Sequence, residues 1–165
     1  MHTSGNPTSP ARAVIERLLQ VTNDHDLDAL VACFAPDYVN QTPVHALRGF
    51  TGQEQVARNW SQIFAAVPDL VAEVSGMAEV PASADHAAMI WSEWQMSGNR
   101  GDGTAHLMRG VIIFTVSADQ IPAARFFLHP VEATTAPVAA PVAPPPPARP
   151  CPPSPRPPPH PAALP

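Results

Sequence analysis

The sequence predicts an α+β domain: a cone-shaped, curved, mixed or antiparallel β-sheet packed on three N-terminal helices. Two observations predict it. Apolar residues recur at helical spacing in the first half of the chain, whereas four later segments are rich in β-branched and aromatic residues. Helices that precede strands favour an α+β domain over a parallel, doubly wound sheet. A sheet that curls over helices leaves a cavity between the two layers.

Three helices are predicted ahead of the long strands. The first spans residues 10–21, and the second follows a cap at Asp26 and stops before Pro36. The third follows Thr51, which opens a capping-box pattern, and it ends at Pro68. The apolar face of the second helix is assigned to Leu27, Leu30, Val31 and Phe34.

Five strands are predicted from apolar runs bounded by turn residues. The first is short, and the other four can run as a meander. A loop at residues 43–49 precedes the third helix, and a polar turn at residues 117–120 joins the last two strands. The predicted strands are residues 37–42, 70–80, 86–97, 106–116 and 121–131.

Proline separates a globular part from a tail. The chain has 165 residues and 23 prolines, and the prolines are concentrated near its end. Such a segment lacks backbone donors and apolar area, so it cannot offset the entropy of ordering. We therefore predict a disordered N-terminus at residues 1–10, one domain at residues 11–132, and a Pro-rich disordered tail at residues 133–165.

Charge and cysteine content narrow the function classes. The formal net charge is -5, and the tail carries only Arg149 and Arg156, so nucleic acid is not an expected partner. No apolar run reaches membrane-spanning length, and the N-terminus lacks a secretory pattern, so no membrane is expected either. Cys33 and Cys151 cannot form a disulfide framework, which favours the cytoplasm. Histidine spacing suggests no metal site, and we expect no cofactor.

The last predicted strand carries two polar side chains among apolar ones. Alternation puts Arg125, Phe127 and His129 on one face, and it puts Phe126 and Leu128 on the other. A titratable side chain within an apolar strand needs a partner or a cavity. His129 is therefore the strongest candidate for a functional group, and a hydrogen-bonded structural histidine is the alternative.

Several local segments together resemble one protein superfamily. They are residues 26–30 (DLDAL), 34–38 (FAPDY) and 49–52 (GFTG), Trp94 ahead of Gly98, residues 109–111 (RGV) with Phe114, and the last strand up to Glu132. In this order they resemble the SnoaL-like polyketide cyclases of the nuclear transport factor 2-like superfamily. The resemblance implies the cone-shaped fold and a homodimer. It implies no single reaction, because the superfamily includes cyclases, isomerases, dehydratases, epoxide hydrolases and binding modules.

The resemblance also suggests roles for individual residues. SnoaL-like cyclases keep an acidic, proton-handling residue at the position of His129, eight residues after the isoleucine that opens the strand. A histidine there can act as a general acid or base near neutral pH. Arg125 replaces the tryptophan that those cyclases have four residues earlier, so the cyclase substrate itself does not carry over.

Epoxide hydrolases of the same superfamily hold water with a Tyr-x-Asn pair on the first strand. Tyr38 and Asn40 match this pair, but Glu93, Gln95 and Phe126 occupy the positions expected for the Arg-Asp-Asp proton network. Epoxide hydrolysis is therefore the less favoured reaction. Tyr38 and Asn40 remain candidates to bind substrate.

Further side chains have a functional and a structural interpretation. Trp94, Met96 and Arg125 are candidates to contact the substrate, although core packing is the alternative for the first two. Glu93 and Arg109 are expected to form a cross-strand pair on a solvated or dimer-facing surface.

Two functional hypotheses follow from the sequence. The first is a pocket protein for a small apolar or partly polar molecule that acts as a cofactor-free cyclase or isomerase, with His129 transferring protons. The second is a non-catalytic ligand-binding or dimerisation module with the same fold. The position of the His129 ring relative to the cavity distinguishes between them.

Overall fold

The structure, a computed structural model, describes residues 8–131. Most of the predicted N-terminal segment and the whole predicted tail, residues 133–165, therefore lie outside the described residues. The elements in chain order are α1 (Pro10–Asn23), α2 (Leu27–Ala32), β1 (Phe34–Gln41), a 3-10 helix (Pro43–Arg48), β2 (Phe50–Thr51), α3 (Gln53–Ala66), β3 (Val71–Val80), β4 (Ala88–Asn99), β5 (Ala105–Ser117) and β6 (Gln120–Pro130).

The strands form one mixed sheet in the order β2-β1-β6-β5-β4-β3. The four long strands β3 to β6 pair antiparallel as a meander, and β1 pairs parallel with β6. The predicted α+β class with a mixed sheet is confirmed, although β1 and β2 precede α3 in the chain. The parallel pair requires the long crossover that α3 and the meander provide.

Helix α1 forms where the spacing of apolar residues predicts it. The Ser9 side chain accepts a hydrogen bond from the backbone nitrogen of Arg12 at 3.1 Å, and Pro10 occupies the first turn. The face containing Ile15 and Leu18 is buried, and the helix packs on β3, β4 and β5. This packing covers one face of the meander and forms the core.

The prediction for the second helix was wrong at its end. Phe34 belongs to β1, not to the helix, because its backbone pairs with Ile121 of β6 and its ring packs against Tyr38 at 4.7 Å. Helix α2 ends at Ala32, so β1 begins three residues earlier than the predicted strand. Pairing across the sheet overrides the local helical pattern.

The predicted capping box at Thr51 was also wrong. Thr51 lies in β2 and pairs with Val39, and Gly52 caps α3 without a side-chain hydrogen bond. The start of α3 is held instead by the Gln53 side chain, whose Nε2 donates to the carbonyl oxygens of Val31 at 3.1 Å and Phe34 at 2.7 Å. These bonds fix α3 over β1, which is where the cavity described below opens.

The outer face of the sheet carries a polar row across three strands. The Arg109 Nε donates to Gln95 Oε1 at 2.6 Å, and Gln95 Nε2 donates to Glu73 Oε2 at 3.1 Å. Glu93 accepts from Ser75 Oγ at 3.1 Å. The expected pair between Glu93 and Arg109 is therefore wrong, because the register places Gln95 opposite Arg109.

Candidate functional site

A cavity of about 490 Å³ lies between the inner face of the sheet, α3 and the 3-10 helix. Apolar side chains form most of its wall, and a smaller set of polar side chains is distributed between its interior and its mouth. The apolar wall consists of Phe34, Phe50, Val56, Trp60, Ile63, Ala66, Val67, Met96, Met108, Phe126 and Leu128. The polar set consists of Tyr38, Asn40, Thr42, Arg48, Asn59, Arg100 and His106.

Strand β1 and the residue after it supply a row of three polar side chains. Tyr38, Asn40 and Thr42 occupy alternate positions and therefore face the same side of the sheet. The Tyr38 hydroxyl donates to Asn40 Oδ1 at 3.1 Å, and both side chains are buried. Burial raises the pKa of the Tyr38 phenol far above its ordinary value, so the hydroxyl stays protonated as a donor.

The Thr42 hydroxyl is the unsatisfied member of this row. Its Oγ1 is buried and has no hydrogen-bond partner among the described residues. A buried hydroxyl without a partner costs about 1–3 kcal/mol. A bound molecule with a polar group at this point of the wall would remove that cost.

Two arginines and a histidine line the cavity where β4 ends and β5 begins. Arg100 follows β4, His106 is the second residue of β5, and Arg48 ends the 3-10 helix. Partial burial, and then the charge of Arg100, lower the pKa of His106 below its ordinary value. His106 is therefore a neutral imidazole at neutral pH, with a basic nitrogen available to the cavity.

Trp94 does not reach the main cavity. Its indole Nε1 donates to Ser92 Oγ at 2.8 Å, and Ser92 Oγ donates to the carbonyl oxygen of Ile112 at 3.0 Å. The Trp94 ring packs against Phe114 beneath the cavity floor, where the remaining void measures about 10 Å³. Met96, two residues further along β4, lines the cavity wall. Trp94 therefore has the structural role that was its alternative.

The structure places His129 and Arg125 outside the cavity, which corrects the position expected for both. The inner face of β6 is formed by Ala124, Phe126 and Leu128. Pairing with β5 sets this face, because Phe126 lies opposite Ile112, which belongs to the main hydrophobic core, whereas Arg125 lies opposite Ile113, which does not.

His129 is exposed and lies on the outer face. Its nearest aromatic neighbour is His45 of the 3-10 helix, with ring centroids 5.8 Å apart. Because the His129 ring lies outside the cavity, the hypothesis that His129 transfers protons to a bound substrate loses its main support.

Besides Thr42, four polar cavity residues were missed by the sequence reasoning. Arg48, Asn59, Arg100 and His106 all fall at element ends or on a helix face that has no distinctive motif. Only His106 carried a signal, because it is a titratable residue that opens an apolar strand. The other three converge through tertiary packing of the 3-10 helix, α3 and the end of β4.

Neither a metal-binding cluster nor a membrane-spanning helix occurs in the part of the chain that the structure describes. Residues 8–131 contain no group of three His, Cys, Asp or Glu side chains placed to hold a metal ion. Within the same residues no helix is both long and apolar enough to cross a membrane.

Comparison with known proteins establishes the family. The model of the SnoaL-like domain matches residues 15–123, which cover α1 to the start of β6. The chain belongs to the SnoaL-like domain family. No curated protein matches the SnoaL-like chain in sequence.

Solved structures of similar fold include ligand complexes. A Mycobacterium tuberculosis protein in complex with estradiol-17β-hemisuccinate is 22% identical with a TM-score of 0.58, covering 71% of this chain and 92% of that one. The epoxide hydrolase/cyclase-like enzyme SalBIII, which has a role in pyran ring formation in the polyether salinomycin, is 15% identical with a TM-score of 0.61. The match covers 72% of this chain and 90% of that one. A designed 17-OHP binder is 24% identical with a TM-score of 0.57, covering 71% and 91%. At these identities the likeness shows the fold alone.

Proposed function

We propose that this SnoaL-like protein binds a small, mostly apolar molecule in the cavity between the sheet and α3. The observation that carries the proposal is a preformed, apolar-walled cavity of about 490 Å³ containing a buried hydroxyl, that of Thr42, without a partner. Ligand sites are typically apolar cavities of this size with a few polar groups that set orientation. The steroid ligands named for two proteins of similar fold are consistent with such a molecule.

The test uses N-phenyl-1-naphthylamine, a neutral aromatic probe whose fluorescence rises in apolar surroundings. Ala66 ends α3 and lines the cavity, whereas the adjacent Ala65, which is equally classed as exposed, does not line it. We expect Ala66→Trp to obstruct the cavity and lower probe affinity at least tenfold, and we expect the matched control Ala65→Trp to bind like the parent. Equal binding by the parent and both variants, or no binding at all, would refute the proposal.

Proton transfer is the second candidate function, and the position of His106 favours it. Its imidazole lines the cavity, and its lowered pKa keeps a basic nitrogen available at neutral pH. His106, not His129, is then the residue proposed as general base for cofactor-free isomerase or cyclase chemistry. Deuterium exchange at the α-carbon of 2-tetralone, followed by NMR, tests it. The exchange rate should fall in His106→Asn and stay unchanged in His129→Ala.

The proposed working state is a cytoplasmic homodimer. The outer face of the sheet exposes Trp91 and Val71, which are 45% and 49% accessible, and a second copy of the sheet would cover them. The buried thiol of Cys33 is compatible with a reducing compartment. Sedimentation equilibrium of the parent tests the dimer, and a monomeric mass would contradict it.

A further inference from the structure

We infer that the ligand carries one anionic group, held at the cavity mouth by Arg48 and Arg100. This inference rests on the proposed binding function and narrows it to a chemical class: an apolar body with a carboxylate or a similar anion at one end. The evidence is the distribution of charge around the cavity.

The part of the cavity wall formed by the described residues contains cations and no anion. Arg48 and Arg100 line it, whereas no aspartate or glutamate among residues 8–131 does. The chain has 14 acidic and 9 basic residues and therefore a negative net charge, whereas the charged side chains that line the cavity are positive. The wall is therefore selective for an anion even though the molecule as a whole repels one.

Neither guanidinium is occupied by a carboxylate of the described residues. The ion pair found within residues 8–131 is Arg58 with Glu54, at 3.9 Å on the exposed side of α3. Asp102 lies near enough for Arg100 to contribute to lowering its pKa. It forms no ion pair with Arg100 within the described residues, and its Oδ1 accepts hydrogen bonds from the Thr104 backbone nitrogen at 2.9 Å and the Thr104 hydroxyl at 2.6 Å. The donors of both arginines thus remain available to a ligand.

Position in the cavity decides which part of the ligand would be charged. Both arginines are solvent-exposed residues at element ends, while the deeper wall is formed by buried side chains such as Tyr38 and Val56. An anion is costly to bury in an apolar wall without a paired cation, but at the mouth it keeps part of its water and gains the guanidinium contacts. The apolar body would then extend inward past the Thr42 hydroxyl.

A matched pair of probes tests the inference directly. N-phenyl-1-naphthylamine and 8-anilinonaphthalene-1-sulfonate share the same aromatic body and differ by one sulfonate. We expect the parent protein to bind the sulfonate more tightly than the neutral probe. Because partly screened ion pairs contribute modestly, Arg48→Gln and Arg100→Gln should each weaken sulfonate binding by about threefold to tenfold. Neither should change binding of the neutral probe.

Arg58→Gln is the control variant, because Arg58 is an exposed arginine of α3 that does not line the cavity. It should leave the affinities for both probes unchanged. Raising NaCl from 0.05 to 0.5 M should weaken sulfonate binding through screening and leave the neutral probe unaffected or slightly tighter.

The outcomes separate the two proposals. If both probes bind with equal affinity and neither arginine variant changes the sulfonate, the anion inference is refuted while the binding function stands. If neither probe enters the cavity, as judged by insensitivity to Ala66→Trp, both proposals are refuted. Loss of sulfonate affinity in Arg58→Gln equal to that in Arg48→Gln would also overturn the inference, since it would reflect overall charge alone.

Discussion

The hydrogen bond between Tyr38 and Asn40 should be the main polar contribution of β1 to stability. Tyr38→Phe removes the hydroxyl that donates to Asn40 Oδ1 at 3.1 Å, inside a region where Tyr38 is 1% exposed and Asn40 is 9% exposed. The lost bond is worth about 1 kcal/mol, and the stranded Asn40 carbonyl adds a desolvation cost. Because that carbonyl lines a cavity that can admit water, we expect a total loss of about 1–2 kcal/mol.

Urea unfolding followed by circular dichroism measures this loss. A double-mutant cycle with Asn40→Leu isolates the pair, and we expect a coupling energy of about 1 kcal/mol between the two side chains. Two results would refute the reasoning. One is a free energy of unfolding for Tyr38→Phe within about 0.3 kcal/mol of the parent value, and the other is a coupling energy near zero. The hydroxyl would then have no energetically significant partner in solution.

The same side chain provides an independent optical test, since Tyr38 is the sole tyrosine of the chain. Burial raises its pKa above the ordinary value near 10, so the folded protein favours the neutral phenol. The contribution of the Tyr38 phenol to the free energy of unfolding is fully present below about pH 10. It is lost as the pH rises above that value, because the phenol ionises first in the unfolded chain. Absorbance at 295 nm should therefore change together with alkaline unfolding. A separate tyrosinate transition near pH 10 in folded protein would contradict the burial.

Three further predictions concern other positions. Because the pKa of His106 is lowered in the folded protein, the unfolded state binds a proton first as the pH falls through about 6.5. Urea titrations at pH 7 and pH 5 should therefore show a larger loss of stability on acidification for the parent than for His106→Asn. Equal pH dependence of the two proteins would contradict this. Gly110 has φ +152, and an added Cβ would overlap the Phe127 carbonyl, so Gly110→Ala should cost at least about 2 kcal/mol. Gly101→Ala, where a Cβ meets nothing, should stay within about 0.5 kcal/mol, and a comparable loss in both would show that the overlap relaxes. His129→Ala should bind the neutral naphthyl probe like the parent, because the ring lies outside the cavity; a tenfold loss measured by fluorescence would contradict that placement.

Much of the fold could be predicted from local patterns, and the errors have identifiable causes. Helix α1, the meander and the turn after Ser117 follow from periodicity and turn residues, which act over a few positions. Phe34 and Thr51 were misassigned because strand pairing with Ile121 and Val39 competes with local helical and capping signals. Such pairings join distant residues and leave no mark in a short window.

The candidate site was predicted only in part for a related reason. Tyr38 and Asn40 carry a motif and alternate on one strand, so their shared face could be derived. Arg48, Arg100 and His106 come from three elements that meet at one end of the sheet. Their spacing in the sequence does not predict that they lie close together, because this proximity depends on the register of β4, β5 and β6 and on the path of the 3-10 helix.

Residue order alone was sufficient for the three α-helices, the four long strands, the α+β class and the family resemblance, because these depend on periodicity and on short motifs. It missed the 3-10 helix, which was predicted as a loop, and the two-residue strand β2. Tertiary structure alone decided which face of β6 turns inward. Phe126 and Phe127 make both faces apolar, so alternation defines two faces without choosing one. Pairing with β5 and burial under the helices choose the face of Phe126, and His129 therefore lies outside while His106 lines the cavity.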